Sequence, residues 1–406
     1  MKEIYANMIL KECLRVKKNQ PLFISANSER SDFVRILANE AYKIGVKDIC
    51  FDLVDVNLKH DMLKNLNIED LKSSTYFNKE KWSEYAKKGA AFVMLASETP
   101  GLMNDIDVKK QNAAFVYSQT TREEFDLLRS KSMVPWCIAA VPTLNWAKEV
   151  FKDSNDPVND LWNKIFEVCG VNKENPIELL NSKLAKLSKR KEILNSLNIK
   201  KLIYKNSLGT DFSINLPNKV LWATGRERLV NGEEILVNFP TEEIFTSPDY
   251  LSANGIVYAS KPLIYHDQII TDFYIKFKDG KAIDCGAKVG IDVLKSIINS
   301  CENSDRLGEI ALVENDSPIS NTNILFYETL FDENASCHIA LGDSFPECIE
   351  NGINMTKDEL KINNLNQSKN HVDFMIGTPD LSIKGITNDN KEIDIFVNGN
   401  FSDLFN

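Results

Sequence analysis

The chain has 406 residues, 43% of them hydrophobic and 26% charged, with a formal net charge of −10. That length calls for two domains, and the composition is that of a globular protein. The acidic balance opposes binding to nucleic acid or to an anionic membrane surface.

No segment approaches the roughly 18 continuous apolar residues that span a bilayer. Charges interrupt Met1-Lys-Glu-Ile-Tyr-Ala-Asn-Met-Ile-Leu-Lys-Glu12 before a signal-peptide core forms, so the cytoplasm is the expected compartment. Cysteines stand at 13, 50, 137, 169, 285, 301, 337 and 348 with no CxxC pair. That spacing favours buried free thiols over disulfides or a zinc-thiolate site. Cys337 adjoins His338 and is read as a packing residue, because its neighbour is the better ligand for a hard metal.

The first half alternates strand and helix signals. Pro21-Leu-Phe-Ile-Ser25 reads as a buried strand, and Asp32 to Ile44 carries Phe33, Ile36, Leu37, Ala41 and Ile44 at helical spacing, with Gly45 ending it. Val46 to Val54 is the next strand. The βαβ unit implies a parallel sheet. Ala90–Ala96 and Trp136–Val141 read as further strands, with a helix at Thr121 to Lys131 between them. The first strand leads into Ser25-Ala-Asn-Ser-Glu-Arg30, which has no GxGxxG, and no P-loop occurs anywhere, so scaffolding or dimerisation suits this half better than nucleotide binding.

Leu184 to Leu197 reads as a basic amphipathic helix whose Lys186, Lys189, Arg190 and Lys191 form a solvated face. The domain boundary is placed there, giving an α/β domain over 1–190 and an α+β domain rich in antiparallel strands over 191–406. Short strands follow at Leu202–Tyr204, Asp211–Asn215, Glu234–Asn238, Phe273–Phe277 and Lys281–Asp284, with Asp279-Gly280 as a hairpin turn and a helix at Ile291 to Cys301.

The second domain also holds the residues that carry chemistry. Glu242 and Glu243 lie in Asn238-Phe-Pro-Thr-Glu-Glu-Ile-Phe-Thr-Ser-Pro-Asp249. Adjacent residues on extended chain point in opposite directions, so one of the pair can be a metal ligand and the residues alone leave open which. Glu309 borders the apolar run Ile310–Val313. A carboxylate there is expensive unless it is paired, metal-bound or at an exposed strand end. His371 and Asp373, two apart on a strand, face one side about 7 Å apart, which suits a shared pocket or equally a surface His-x-Asp pair. His338 has small and apolar flanks, which suit a packed ligand and, more often, a satisfied core histidine, and Glu333, five residues before it, need not reach the same metal. Oxygen and nitrogen donors in this mixture suit zinc, cobalt or manganese, ions that can activate water.

These segments occur in the order Asn-x-Pro-Thr-Glu-Glu-x-Phe-Thr-x-Pro-Asp, Gly-Glu-Ile-Ala, Thr-Leu-Phe-Asp-Glu-Asn-Ala-Ser-Cys-His-Ile-Ala-Leu-Gly and His-x-Asp-Phe-Met-Ile-Gly, running from Asn238 to Gly377. In that order and local sequence the chain resembles the M29 family of metallo-aminopeptidases. The N-terminal half resembles it more diffusely, including Pro142-Thr-Leu-Asn-Trp146. The resemblance implies two divalent ions (zinc, cobalt or magnesium) held by Glu243, Glu309, His338, His371 and Asp373, with Glu333 a further ligand. It implies a homodimer and an exopeptidase acting on peptides with a free N-terminus. The choice of Glu243 over Glu242 comes from it. A carboxylate not fully used by metal must pass a proton to the leaving amine. Glu309 is the first candidate and Glu242 the second.

One position departs from the family. Members carry an active-site tyrosine a few residues after the motif histidine, where it helps to stabilise the tetrahedral intermediate, and the matching residue here is Phe345. Loss of one oxyanion donor typically costs about 10²–10³ in turnover. A second reading is therefore a metal-binding homologue with weak or altered amidase activity. A nucleotide-dependent enzyme is disfavoured by the missing phosphate loops, and a serine hydrolase by the absence of GxSxG.

Overall fold

The computed structural model describes residues 1–97 and 99–406. The chain forms two compact units. The first comprises Met1–Leu180, Arg226–Pro240 and His266–Gln268, and the second Asn181–Gly225, Thr241–Tyr265 and Ile269–Asn406.

A five-stranded parallel sheet organises the first unit, in the order Asn238–Phe239, Trp136–Ala140, Ala91–Ala96, Leu22–Asn27, Ile49–Val54. The helix Ser31–Ile44 connects the last two of these and buries Phe33, Val34, Leu37, Ala38 and Ala41. Gly45 closes it at φ +101°, the left-handed cap that glycine adopts without strain. Val46 was expected to start the next strand. Its N–H instead donates to Ala41 O at 3.1 Å and completes the helix end, so pairing begins at Ile49. Phe23, Trp82, Phe92 and Phe125 stack in the core on one side of the sheet, with ring centroids 4.7 to 5.9 Å apart.

Two elements of this unit differ from expectation. The helix Val108–Thr120 gave no periodic signal, because it buries only Gln111 and Ala114 and leaves Val116 exposed. Glu234–Asn238 is not one strand of the antiparallel half. Glu234–Leu236 pairs with Arg226–Arg228, and Asn238–Phe239 joins the edge of the parallel sheet beside Trp136–Ala140.

The second unit is built on two antiparallel sheets. One has eight strands, ordered Lys281–Gly286, Tyr274–Lys278, Asn254–Tyr258, Asp211–Asn215, Ile199–Lys205, Ser382–Thr387, Glu392–Val397, Asn400–Phe401. Asp279 and Gly280, at φ +49° and +81°, make the tight turn of its first hairpin. The other has five, ordered His371–Met375, His338–Gly342, Leu307–Leu312, Ile244–Thr246, Ala223–Thr224. Phe273 and Phe374 join the sheets with centroids 5.6 Å apart.

The basic helix begins at Pro176 and ends at Ser196. Its cationic face is not simply solvated. Lys186 and Lys189 are exposed, but Arg190 is 2% exposed, donates to both Glu314 carboxylate oxygens at 2.6 and 2.9 Å and lies over the Phe401 ring. Helical spacing cannot reveal a carboxylate so far along the chain. All eight cysteines are free, and Cys337 is buried against Val313. Among the described residues no helix is long and apolar enough to cross a membrane.

Candidate metal centre

Three adjacent strands at one edge of the five-stranded sheet, His371–Met375, His338–Gly342 and Leu307–Leu312, carry most of the polar cluster. Antiparallel register sets Glu309 opposite Ala340, and Ala340 opposite Asp373. A small residue thus stands between the two carboxylates. His371 lies two residues before Asp373, on the same face, opposite Gly342. The strand Leu307–Leu312 is buried at every position, so the exposed strand end considered for Glu309 is not its setting. A bulge between Leu307 and Glu309 shifts the register. It brings Gly308 so close to the neighbouring strand that a Cβ there would sit 2.1 Å from Asp343 O and 2.4 Å from Gly342 O.

Both imidazoles are oriented by main-chain carbonyls. His371 Nδ1 is 2.9 Å from Asp343 O, and His338 Nδ1 is 3.1 Å from both Glu333 O and Ser336 O. A carbonyl only accepts, so each Nδ1 carries the proton and donates it. Nε2 is then the atom presented to the cluster. Metal-bound histidines are held in this way by a second hydrogen bond.

Each Nε2 meets carboxylates at short range. His371 Nε2 is 3.0 Å from Glu309 Oε2 and 3.3 Å from Asp373 Oδ1, and His338 Nε2 is 3.2 Å from Glu243 Oε2. Burial alone would lower both histidine pKa values. The facing carboxylates outweigh it and hold both well above the usual imidazole value. Burial pushes the Glu309 carboxyl up to about 7, and it raises Glu333 well above the carboxylate range with Asp373 and Glu243 adding to the effect. Asp373 falls to about 2, because the His371 and His338 charges overcome its burial.

The donors form three overlapping groups, Glu243–Glu309–His338, Glu309–His371–Asp373 and Glu333–His338–Asp373, with the ligand atoms of each within 4.8 Å of one another. Ligands sharing one tetrahedral zinc stand roughly 3.3 Å apart at bond lengths of about 2.0–2.1 Å, which the N···O separations match. Asp373 Oδ1 is buried, and among the described residues it has the ion-pair contact with His371 Nε2 at 3.3 Å and no well-formed hydrogen bond besides. A buried acceptor left in that state is costly unless something further meets it. The arrangement fits a divalent cation.

All six residues expected as ligands therefore come together. Glu242 and Glu243 turn opposite ways, as adjacent residues should. Glu243 faces His338, and Glu242 pairs with Lys183 on the long helix and joins none of the groups. Phe345 packs between His371, at 4.9 Å, and Phe245, at 5.1 Å, and brings no hydroxyl to the cluster. Sequence reasoning missed Lys183 and gave Asn334 no role. Asn334 is fully buried and accepts the Glu242 N–H at 2.7 Å. The only local sign of it was a polar residue between Glu333 and the small run Ala335-Ser336.

Comparison with known proteins gives consistent results. The sequence model of a family described as thermophilic metalloprotease (M29) matches residues 2–401. Aminopeptidase AmpS of Bacillus subtilis (strain 168) is 37% identical over 409 residues, covering 98% of this chain and 97% of that protein. Aminopeptidase 2 of Geobacillus stearothermophilus is 35% identical over 403 residues, with coverages of 98% and 97%. Among solved structures, wild-type AmpT from Thermus thermophilus matches with a TM-score of 0.89 at 28% identity, over 98% of each chain.

Proposed function

The chain belongs to the M29 family of metalloproteases and is a metallo-aminopeptidase, and from that premise we propose that it releases N-terminal residues from peptides with the help of two divalent ions. The observation that carries this reading is the charge and overlap of the donor groups. Glu243, Glu309, Glu333 and Asp373 would bring four negative charges to two imidazoles in one largely buried cluster once metal displaces the protons that burial holds on Glu309 and Glu333. Two divalent cations balance four carboxylates, whereas one would leave two charges uncompensated in a low-dielectric site.

In this reading Glu243 and His338 would hold one ion and His371 and Asp373 the other, and Glu309 belongs to both donor groups. Glu333 supports the set from beside His338 and Asp373. Zinc, cobalt and magnesium are the candidate ions. When bound, such ions lower the pKa of water to about 7 and polarise a carbonyl. The chain's own residues supply the rest. The Asp343, Glu333 and Ser336 carbonyls fix the imidazole tautomers. Glu309 is the first candidate to pass a proton to the departing amine, through a carboxylate oxygen that the ions would leave unused. Glu242, the second candidate for that task, has its carboxylate turned to Lys183. Selection for a free N-terminus follows if the substrate α-amine takes a place among the carboxylates. We assign scaffolding and homodimer formation to the N-terminal α/β region and catalysis to the region that holds the cluster.

One observation favours a second reading. The ring of Phe345 stands beside His371 where family members place a tyrosine. A homologue that holds metal but hydrolyses amides weakly would have this feature. Protein loaded with cobalt or zinc and assayed on leucine p-nitroanilide separates the two. Release of p-nitroaniline that a chelator abolishes supports the aminopeptidase. Undiminished release after exhaustive chelation rejects a metal mechanism, and bound metal without turnover on any of a panel of peptides supports the second reading.

A further inference from the structure

A chain of polar contacts runs behind the donor cluster. Lys183 on the helix Pro176–Ser196 pairs with the Glu242 carboxylate, and both side chains are largely buried, at 19% and 9% exposure. The N–H of the same glutamate donates to Asn334 Oδ1 at 2.7 Å. Asn334 Nδ2 donates to Leu330 O at 2.9 Å and reaches Glu333 Oε1 at 3.4 Å. Asn334 is fully buried, so each of these bonds replaces water that is not there. The two ends of the chain adjoin different ligands. Glu242 precedes Glu243, whose Oε2 faces His338 Nε2, and Asn334 follows Glu333, which shares a group with the same His338.

We propose that Lys183, Glu242 and Asn334 form a positioning brace that fixes Glu243 and Glu333 relative to each other on either side of His338. The proposal rests on the metal-site reading above and assigns Glu242 a positioning part. The geometry gives each member a distinct task. Lys183 anchors the Glu242 side chain, which turns the next residue toward His338. Asn334 holds the Glu242 peptide and restrains the Glu333 carboxylate through one amide. Among the described residues Glu242 joins none of the donor groups, because its carboxylate is turned to Lys183. Neighbours that orient metal ligands typically govern 10–100-fold of metal affinity.

Cobalt binding to the full-length protein tests this. Stepwise cobalt affinities are measured by calorimetry on chelator-stripped protein for wild type, Lys183→Met, Lys183→Arg, Asn334→Ala and Asn334→Asp, with far-ultraviolet circular dichroism and thermal unfolding of the stripped proteins alongside. The brace predicts that Lys183→Met weakens one of two cobalt sites by about 10–100-fold and leaves the other within about threefold. Lys183→Arg restores it, because a guanidinium can still meet the Glu242 carboxylate. Asn334→Asp keeps the acceptor for the Glu242 N–H but sets a carboxylate against Glu333. It therefore weakens cobalt binding at native circular dichroism, which a purely structural role would not do. Should Asn334→Ala fail to fold, Asn334→Asp and the lysine pair still decide. Wild-type affinities in Lys183→Met and Asn334→Asp would overturn the brace while leaving the metal site intact. A wild type that binds no cobalt would instead overturn the metal-site reading.

Discussion

Glu328 provides the sharpest test of the electrostatics around the helix Thr329–Glu333, which carries Glu333. It is 3% exposed, and its Oε2 has no hydrogen-bond partner among the described residues. Burial raises its pKa from 4.5 to about 8, the Asp332 carboxylate adds to the rise, and the N–H groups of Phe331 and Leu330 oppose it. An acid whose folded pKa is raised takes up a proton on folding. Its full contribution to stability is present below pH 4.5 and is lost as pH climbs toward 8. Each tenfold change in proton affinity between the folded and unfolded states is worth about 1.36 kcal/mol, so ionisation removes about 3–4 kcal/mol of folding stability between about pH 5 and pH 8. Glu328→Gln keeps the shape of the neutral acid and cannot ionise. The perturbation is therefore expected to be close to neutral at pH 5 and stabilising at pH 8. Urea denaturation of wild type and variant at both pH values, with chelator present throughout so that metal binding does not vary, reads the difference. Parallel stability–pH curves for the two proteins would show that Glu328 does not sit buried as a neutral acid, and the reasoning would fail.

Other outcomes follow from the same geometry. His371→Ala removes a donor from the Glu309–His371–Asp373 group and is expected to lower both bound metal and leucine p-nitroanilide turnover by more than about 10²-fold, measured by elemental analysis and absorbance. Gly308→Ala places a Cβ 2.1 Å from Asp343 O, the carbonyl that orients His371. It is expected to destabilise the chelated protein by about 1–3 kcal/mol in urea and to reduce cobalt content as well. Phe345→Tyr restores a hydroxyl beside His371 and is expected to raise kcat, by up to about 10²-fold if no other donor stabilises the oxyanion. No gain would show that another group already does so.

The donor set was readable in the sequence because its segments match the M29 pattern in order and local sequence, while each segment's own signal was weak. Period two put His371 and Asp373 on one face, and a carboxylate against the apolar run Ile310–Val313 demanded a partner. Local logic did not extend to the choice between Glu242 and Glu243. Their opposite directions were predictable, but the identity of the partners was not, since Lys183 and His338 approach through tertiary contacts. The same limit hid the Arg190–Glu314 pair, in which residues 124 apart in sequence meet, and the Glu242–Asn334 bond, where they are 92 apart. In the fold, long apolar runs gave the parallel strands and the helix Ser31–Ile44. The strand Asn238–Phe239 was misplaced because two residues carry no period, and its neighbour was set by backbone pairing with Trp136–Ala140. The helix Val108–Thr120 was missed because its apolar side chains do not share a face.

The central claim is that one buried cluster holds two divalent ions. Anomalous diffraction at the cobalt or zinc edge from metal-loaded crystals tests it most directly. Two peaks are expected, one among Glu243, Glu309 and His338 and the other among Glu309, His371 and Asp373. A single peak, or peaks away from these side chains, would contradict it.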